Sequence, residues 1–329
     1  MRTQLVVALT LVGCSETSSP NTADAGLPDS GRLFAGPLIP PELYDCTAAS
    51  RESTRPGTAP PSGCAFDPEC NSRLVVGHRS AGGTSPGLGV LAPENSLSAL
   101  RAAIVLGVDF IETDPRMTKD GVLINVHDPE ISGTTTGTRA VAELTLAEIR
   151  EYELEWPSTV VGDFSCDSIT TIEDVLIGAK GRINVLLDAN KIRFEEVDAL
   201  VALVLRTNTL EEAVFDTSSL EKVARARALE PRIKVQIRPD SPSDITREIG
   251  QVGSPAPVIV ELDVGDLEAG APIVRSAIPG ARVMSDGLGT LDLQAAIDGN
   301  GAPLARLYDR GADMVQTDRP DLLLRAIGR

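Results

Sequence analysis

Two carboxylates and a histidine crowd into the run GVDFIETDPRMTKDGVLINVHD, from Gly107 to Asp128, and all three are of types that hold a metal ion or move a proton. The chain of 329 residues has only two histidines, His78 and His127, and each opens a polar pair at the end of an apolar run. Side chains alternate between faces along a strand, so Glu112 and Asp114 project together with Val108 and Phe110. His78 follows Leu74 and Val76 on one face of RLVVGH, and His127 closes VLINVHD. Three strand ends are therefore expected to deliver two acids and both histidines to one rim. Hard carboxylate oxygens suit Mg2+ or Ca2+. Two histidines suit proton transfer near neutral pH, one taking a proton from a nucleophile and the other giving one to a leaving oxygen. Taken singly, an acid pair is often the solvated face of an edge strand and a histidine after apolar residues is often a core side chain. Their coincidence at successive strand ends favours a site.

The elements that must position these residues alternate in type. Short β-rich runs (RLVVGH, VDFIETD, VLINVHD, INVLLD, AVFDTS, IKVQIR, PVIVELDV, ARVMSD, ADMVQTD) are separated by helical patterns such as NSLSALRAAIVLG, EEVDALVALVLRTN, SSLEKVARARALE and RPDLLLRAIG. Such alternation predicts an α/β protein with a parallel sheet. Residues 72–329, about 258 in number, match the roughly 250 of one (β/α)8 TIM barrel. Nine strand candidates exceed eight, and PRMTKDG is too short for a helical crossover, so a tight turn is expected to join its two flanking strands. A doubly wound open sheet is the alternative, but no GxGxxG follows the first strand.

The ordered set VVGHRSAGG, APENS, GVDFIETDPRMTKDG, INVHD and GTTTGTRA resembles the glycerophosphodiester phosphodiesterases, whose pattern is His-Arg-Gly, Pro-Glu-Asn-Thr, Ala-Asp-x-Ile-Glu-x-Asp, Thr-Lys-Asp-Gly, His-Asp and Thr-Thr-x-Gly. The match runs from Val75 to Ile149, with a weaker echo in GADMVQTDRPDLL. The resemblance implies a barrel of the phosphatidylinositol-phosphodiesterase type that cleaves glycerophosphodiesters to glycerol phosphate and an alcohol. It makes Glu112 and Asp114 metal ligands, His78 and His127 the acid/base pair, Arg79 a phosphate contact, and Glu94 and Asn95 supporting residues. A planar guanidinium suits a phosphate oxygen, and a divalent cation would neutralise the diester.

The chain departs from the pattern in places. Ser80 replaces a glycine, Ser96 a threonine, and the loop from Ser80 to Ala92 is longer than usual. At the fourth strand the family has Glu-x-Lys, whereas this chain has INVLLDANK. Asp188 is the expected third ligand. Lys191 would face away on a regular strand, so either a bulge brings it round to the substrate or Asn190 takes its place. An aspartate here also resembles the sphingomyelinase D type lyases, which keeps a lyase or phospholipase D activity on intact lipid as an alternative. A non-catalytic surface lipoprotein is a third function, since a fold alone does not fix activity.

A net charge of -17 disfavours nucleic acid or an anionic bilayer as an electrostatically held partner, and means that an anionic diester needs a local cation. The start, MRTQLVVALTLVGC, resembles a bacterial lipoprotein signal over residues 1–13 with Cys14 as the lipidated residue. The expectation is an exported lipoprotein of the cell envelope, facing the periplasm or the cell surface, tethered to the membrane by lipid alone. Residues 14–71, rich in Pro, Ser and Gly, are expected to form a linker whose second half is stapled down. Cys46, Cys64, Cys70 and Cys166 suggest two disulfides, for which three pairings are open. Zinc is disfavoured, because no CxxC occurs and neither histidine lies near a cysteine. Oligomeric state is not legible.

Overall fold

The computed structural model describes residues 34–50, 53–83 and 88–329. Ten strands occur among them: β1 (Leu74–Gly77), β2 (Phe110–Thr113), β3 (Pro115–Met117), β4 (Leu123–Asn125), β5 (Asn184–Asp188), β6 (Ala213–Asp216), β7 (Lys234–Ile237), β8 (Ile259–Glu261), β9 (Arg282–Asp286) and β10 (Met314–Thr317). Eight of them close a barrel in the order β1-β10-β9-β8-β7-β6-β5-β2, and every pairing within it is parallel. This is the expected TIM barrel.

Strand periodicity explains both the core and the site. Val75, Ile111, Val185, Phe215, Val235, Val260, Val283 and Val315 face outward into the apolar layer shared with the helices. Leu74, Val76, Phe110, Leu186, Val214, Ile259, Met284 and Met314 fill the interior. Two residues further along the same inward series the side chains turn ionic: His78, Glu112, Asp188, Asp216, Arg238, Glu261 and Asp286. One alternation thus builds an apolar plug below and a charged mouth at the C-terminal ends of the strands, where barrel sites form. The helices begin where short polar side chains can satisfy free backbone donors. Ser96, Thr171 and Ser219 each accept from the amide three residues on, opening Leu97–Leu106, Ile172–Ala179 and Leu220–Leu229.

One expectation is corrected. VLINVHD is not a strand turned back against VDFIETD. Its strand β4 pairs antiparallel with β3, with Pro115 opposite Asn125, in a two-stranded hairpin outside the barrel. The barrel therefore takes eight of the nine candidates, and His127 is carried by the hairpin rather than by a barrel strand.

The part of the expected linker that is described, residues 34–50 and 53–71, lies against the barrel. Tyr44 is fully buried, and the Ala35 amide donates to the Ala296 carbonyl. Buried Arg319, paired with Asp321, also donates to the carbonyls of Ala35 and Gly36. The disulfides are Cys46–Cys166 and Cys64–Cys70. The short loop of the second caps the N-terminal mouth: Arg282 donates to the carbonyls of Cys64, Ala65, Asp67 and Cys70 at 2.7–3.1 Å, and Asn184 to that of Ser62 at 2.9 Å. Backbone–guanidinium contacts of this kind leave no periodic trace in a sequence, which is why the segment reads as linker. The signal segment 1–13 and Cys14 lie outside the described residues. No described helix is long and apolar enough to cross a membrane.

Candidate active site

The chain leaves β1 through three consecutive left-handed residues, Arg79, Ser80 and Ala81, at φ 47°, 61° and 70°. This turn aims the Arg79 amide at Glu112 Oε2, 3.0 Å away, and presents the Arg79 carbonyl to the Asn95 amide at 2.9 Å. A left-handed backbone favours glycine, so Ser80 sits strained at the position where the resemblance has glycine. Gly82 makes the next step. A Cβ there would meet the Glu94 Cα at 2.2 Å, and only glycine lets the two chain segments approach this closely. Glu94 then holds the Arg79 guanidinium at 2.9 and 3.1 Å, while Asn95 donates to Asp114 Oδ2 at 2.8 Å.

Glu112, Asp114 and Asp188 converge, with one carboxylate oxygen of each lying within 4.8 Å of the others, and all three residues are buried. Asp114 Oδ1 has no hydrogen-bond partner; the nearest cation, Lys191 Nζ, is 3.8 Å away. Burial, reinforced by the charges of Asp114 and Asp188, pushes the Glu112 carboxyl up to about 8. Crowded, buried, hard oxygen donors with an unpaired lone pair fit a divalent cation such as Mg2+ or Ca2+.

The histidines flank this triad in different settings. His78 Nδ1 lies 2.7 Å from Asp318 Oδ1. Burial alone would lower the His78 pKa, but the hydrogen bond and charge of Asp318, aided by Glu112, raise it to about 9. His127 Nδ1 contacts Asp128 Oδ1 at 2.8 Å, and its Nε2 lies 2.8 Å from Lys191 Nζ. Burial holds the His127 pKa below its ordinary value, with Arg79 and Lys191 acting in the same direction against Asp114 and Asp128.

Lys191 reaches the site because β5 stops at Asp188. A turn closed by the Lys191 amide on the Asp188 carbonyl, at 3.2 Å, replaces the regular strand on which the lysine would have faced away. Asn190 is directed elsewhere. Its Nδ2 donates to Asp188 Oδ1 at 2.8 Å, and its Oδ1 accepts from the Thr217 and Ser218 hydroxyls at 3.0 Å.

His78, Arg79, Glu94, Asn95, Glu112, Asp114, His127, Asp188 and Lys191 thus meet at one mouth. Several that the sequence left unmarked join them. Asp318 orients His78. Asn125 accepts from the Asp114 amide at 2.8 Å. Arg116 donates twice to the His127 carbonyl, at 2.5 and 2.9 Å. The signal for Asp318 was present: MVQTD repeats the strand-end spacing of FIETD.

Residues 78–244 match the Glycerophosphoryl diester phosphodiesterase family. The chain belongs to that family. The chain is 30% identical over 170 residues to a glycerophosphodiester phosphodiesterase of Caldanaerobacter subterraneus, covering 49% of this chain and 65% of the relative. A glycerophosphodiester phosphodiesterase of Bacillus subtilis is 26% identical over 260 residues, covering 76% of this chain and 84% of the relative. The chain thus spans a little under two thirds of the first relative and most of the second. Among solved structures, a glycerophosphoryl diester phosphodiesterase from Parabacteroides distasonis superposes with TM-score 0.66 at 19% identity, over 81% of this chain and 90% of that one. A phosphodiesterase from Oleispira antarctica, in complex with its product sn-glycerol-3-phosphate, gives TM-score 0.62 at 20% identity, over 78% and 97%. At these identities the structural likeness establishes the barrel fold alone, and the chemistry rests on the site.

Proposed function

We propose that the chain is a metal-dependent phosphodiesterase that hydrolyses glycerophosphodiesters to glycerol phosphate and an alcohol. The observation that carries this reading is the placement of two histidines of opposite protonation tendency beside one carboxylate triad. Glu112, Asp114 and Asp188 would hold Mg2+ or Ca2+, and the ion would supply the positive charge that neutralises the phosphodiester and its transition state. Arg79 and Lys191 bind the remaining phosphate oxygens. When Lys191 turns from His127 to the phosphate, it frees Nε2 of a neutral imidazole whose Nδ1–H is fixed by Asp128. That nitrogen takes a proton from the attacking water, whose oxygen bonds to phosphorus as the ester bond to the alcohol breaks. His78, kept protonated by Asp318, gives its Nε2 proton to the leaving oxygen. Opposed pKa values of this kind are what acid–base division of labour needs.

The deciding experiment is phosphorus NMR of the products from glycerophosphocholine and, separately, from sphingomyelin or lysophosphatidylcholine, with Mg2+ or Ca2+ present. Glycerol phosphate is the expected final product. A cyclic phosphate as the end product would replace hydrolysis with the lyase reaction, and no turnover of any diester would leave only a binding protein.

We also propose export as a lipoprotein modified at Cys14. The Leu-Val-Gly-Cys sequence supports it, and so do two disulfides, which persist in oxidising compartments. Mass spectrometry of the mature N-terminus tests it, and an unmodified Cys14 would remove the anchor without touching the enzyme.

A further inference from the structure

Beside the triad lies a second group of inward carboxylates that the proposed chemistry does not use. Asp216 closes β6 and Glu261 closes β8, with Asp188 in register beside Asp216 on β5. Both are buried or nearly so, at 0% and 11% side-chain exposure. Arg238, the inward residue just beyond β7, stands among them. Its Nε lies 2.9 Å from Asp216 Oδ1 and 2.9 Å from Glu261 Oε2. A terminal nitrogen contacts Asp216 Oδ2 and comes within 4.0 Å of Asp188 Oδ2. Among the described residues, no other lysine or arginine pairs with Asp216 or Glu261. Asp188 therefore belongs to two carboxylate clusters at once. One is the triad with the unpartnered Asp114 oxygen, and the other already contains a cation.

We propose that the Arg238 guanidinium occupies the place of a second divalent cation, so that the site loads one metal ion and Asp188 is kept from bridging two. This rests on the metal-binding reading of the triad. The physical argument is one of charge and ligand type. Asp188, Asp216 and Glu261 would offer hard oxygens to a second ion, and paired metals in phosphoester-cleaving sites sit roughly 3.5–4 Å apart, sharing a carboxylate of this sort. An arginine stays charged under all conditions of catalysis, so the substitute cation is permanent. It also offers no exchangeable coordination position, which leaves proton removal to the histidines rather than to a second ion. Arg238 is thus a positioning residue, acting through Asp188.

The test is Mn2+ binding to the full chain, by equilibrium dialysis and electron paramagnetic resonance, in the wild type, Arg238→Met, Arg238→Gln and Arg238→Lys. The two neutral variants are expected to bind one more Mn2+ per chain than the wild type and to show the broadened spectrum of a spin-coupled pair. The lysine variant should keep the wild-type number. Folded neutral variants that bind no additional ion would overturn the proposal. So would a coupled pair in the wild type at saturating Mn2+, which is informative even if the neutral variants do not fold. A wild type that binds no Mn2+ while Arg238→Met gains one ion would sink the metal reading of the triad and leave the role of Arg238 standing. No Mn2+ bound by either would sink both.

Discussion

His78 and His127 are chemically identical side chains that the fold pushes in opposite directions. Between the lowered pKa of His127 and the value of about 9 for His78, one imidazole is neutral and the other charged. The expected dependence of kcat/KM on pH is therefore a bell, rising as His127 loses its proton and falling as His78 loses its own. Asp318→Asn removes the charge that offsets the burial of His78, so the alkaline limb should move down by about one to two pH units. An unmoved limb would show that His78 is not the group titrating there. The same shift is linked to stability. Because the folded pKa exceeds the unfolded value, the contribution of His78 is full below about 6.5 and is lost as pH rises through about 9. Ser80 shows strain on the same scale. Ser80→Gly should raise stability by about 0.5–1 kcal/mol in denaturant melts with turnover nearly unchanged, since a serine at φ 61° pays a steric cost that glycine does not. A loss of stability would mean that the buried Ser80 side chain contributes more than its backbone strain costs. The principal site residues were legible because their types and spacing repeat at strand ends. Asn125 and Arg116 were passed over because each acts on another residue, and such indirect roles leave no chemical signature of their own, whereas Asp318 left a trace in the repeated strand-end spacing of MVQTD.

The hairpin β3–β4 is the element on which the site depends most. It stands on the barrel rather than in it, and β4 is three residues long, so the position of His127 is set by what holds its end. Arg116 does this. Two of its nitrogens donate to the His127 carbonyl, and the third reaches the Lys191 carbonyl at 3.4 Å, tying the hairpin to the turn after β5. Arg116→Lys keeps the charge but not the fork, and is expected to lower kcat by about tenfold while unfolding midpoints barely move, because small misplacements of a proton carrier are costly to rate. A variant as active as wild type would show that packing alone positions the hairpin. The sequence made both strands of this region visible by alternation but not their partners. The residues needed for pairing, PRM, look like a turn because proline leads them. Only tertiary contact distinguishes a hairpin from a barrel strand and a loop.

At the scale of the whole molecule, the barrel could be read from the alternation of strands and helices, because a residue buried on either face of a parallel sheet leaves a continuous apolar run. For the wrap formed by residues 34–50 and 53–71, the cysteines announced the two disulfides and the stapled second half, but not the seat on the barrel, which arginine-to-carbonyl contacts hold. The two bridges should differ in weight. Cys46–Cys166 spans 120 residues and Cys64–Cys70 spans 6. In the chain-entropy view the first contributes about 5 kcal/mol and the second about 2 kcal/mol. Paired serine substitutions followed by denaturant unfolding should reproduce that order, and a reversed order would show that the short loop acts chiefly as a packed lid on the barrel floor. That lid has a further consequence. Among the described residues the Cys64–Cys70 loop and Phe66 pack against the apolar interior and close the barrel floor, so reactant and product share the mouth at the other end. A molecule that has just been formed there must leave against incoming traffic. Its accumulation outside should therefore slow the enzyme as a rival for entry rather than by altering the catalyst, a brake that follows from architecture alone.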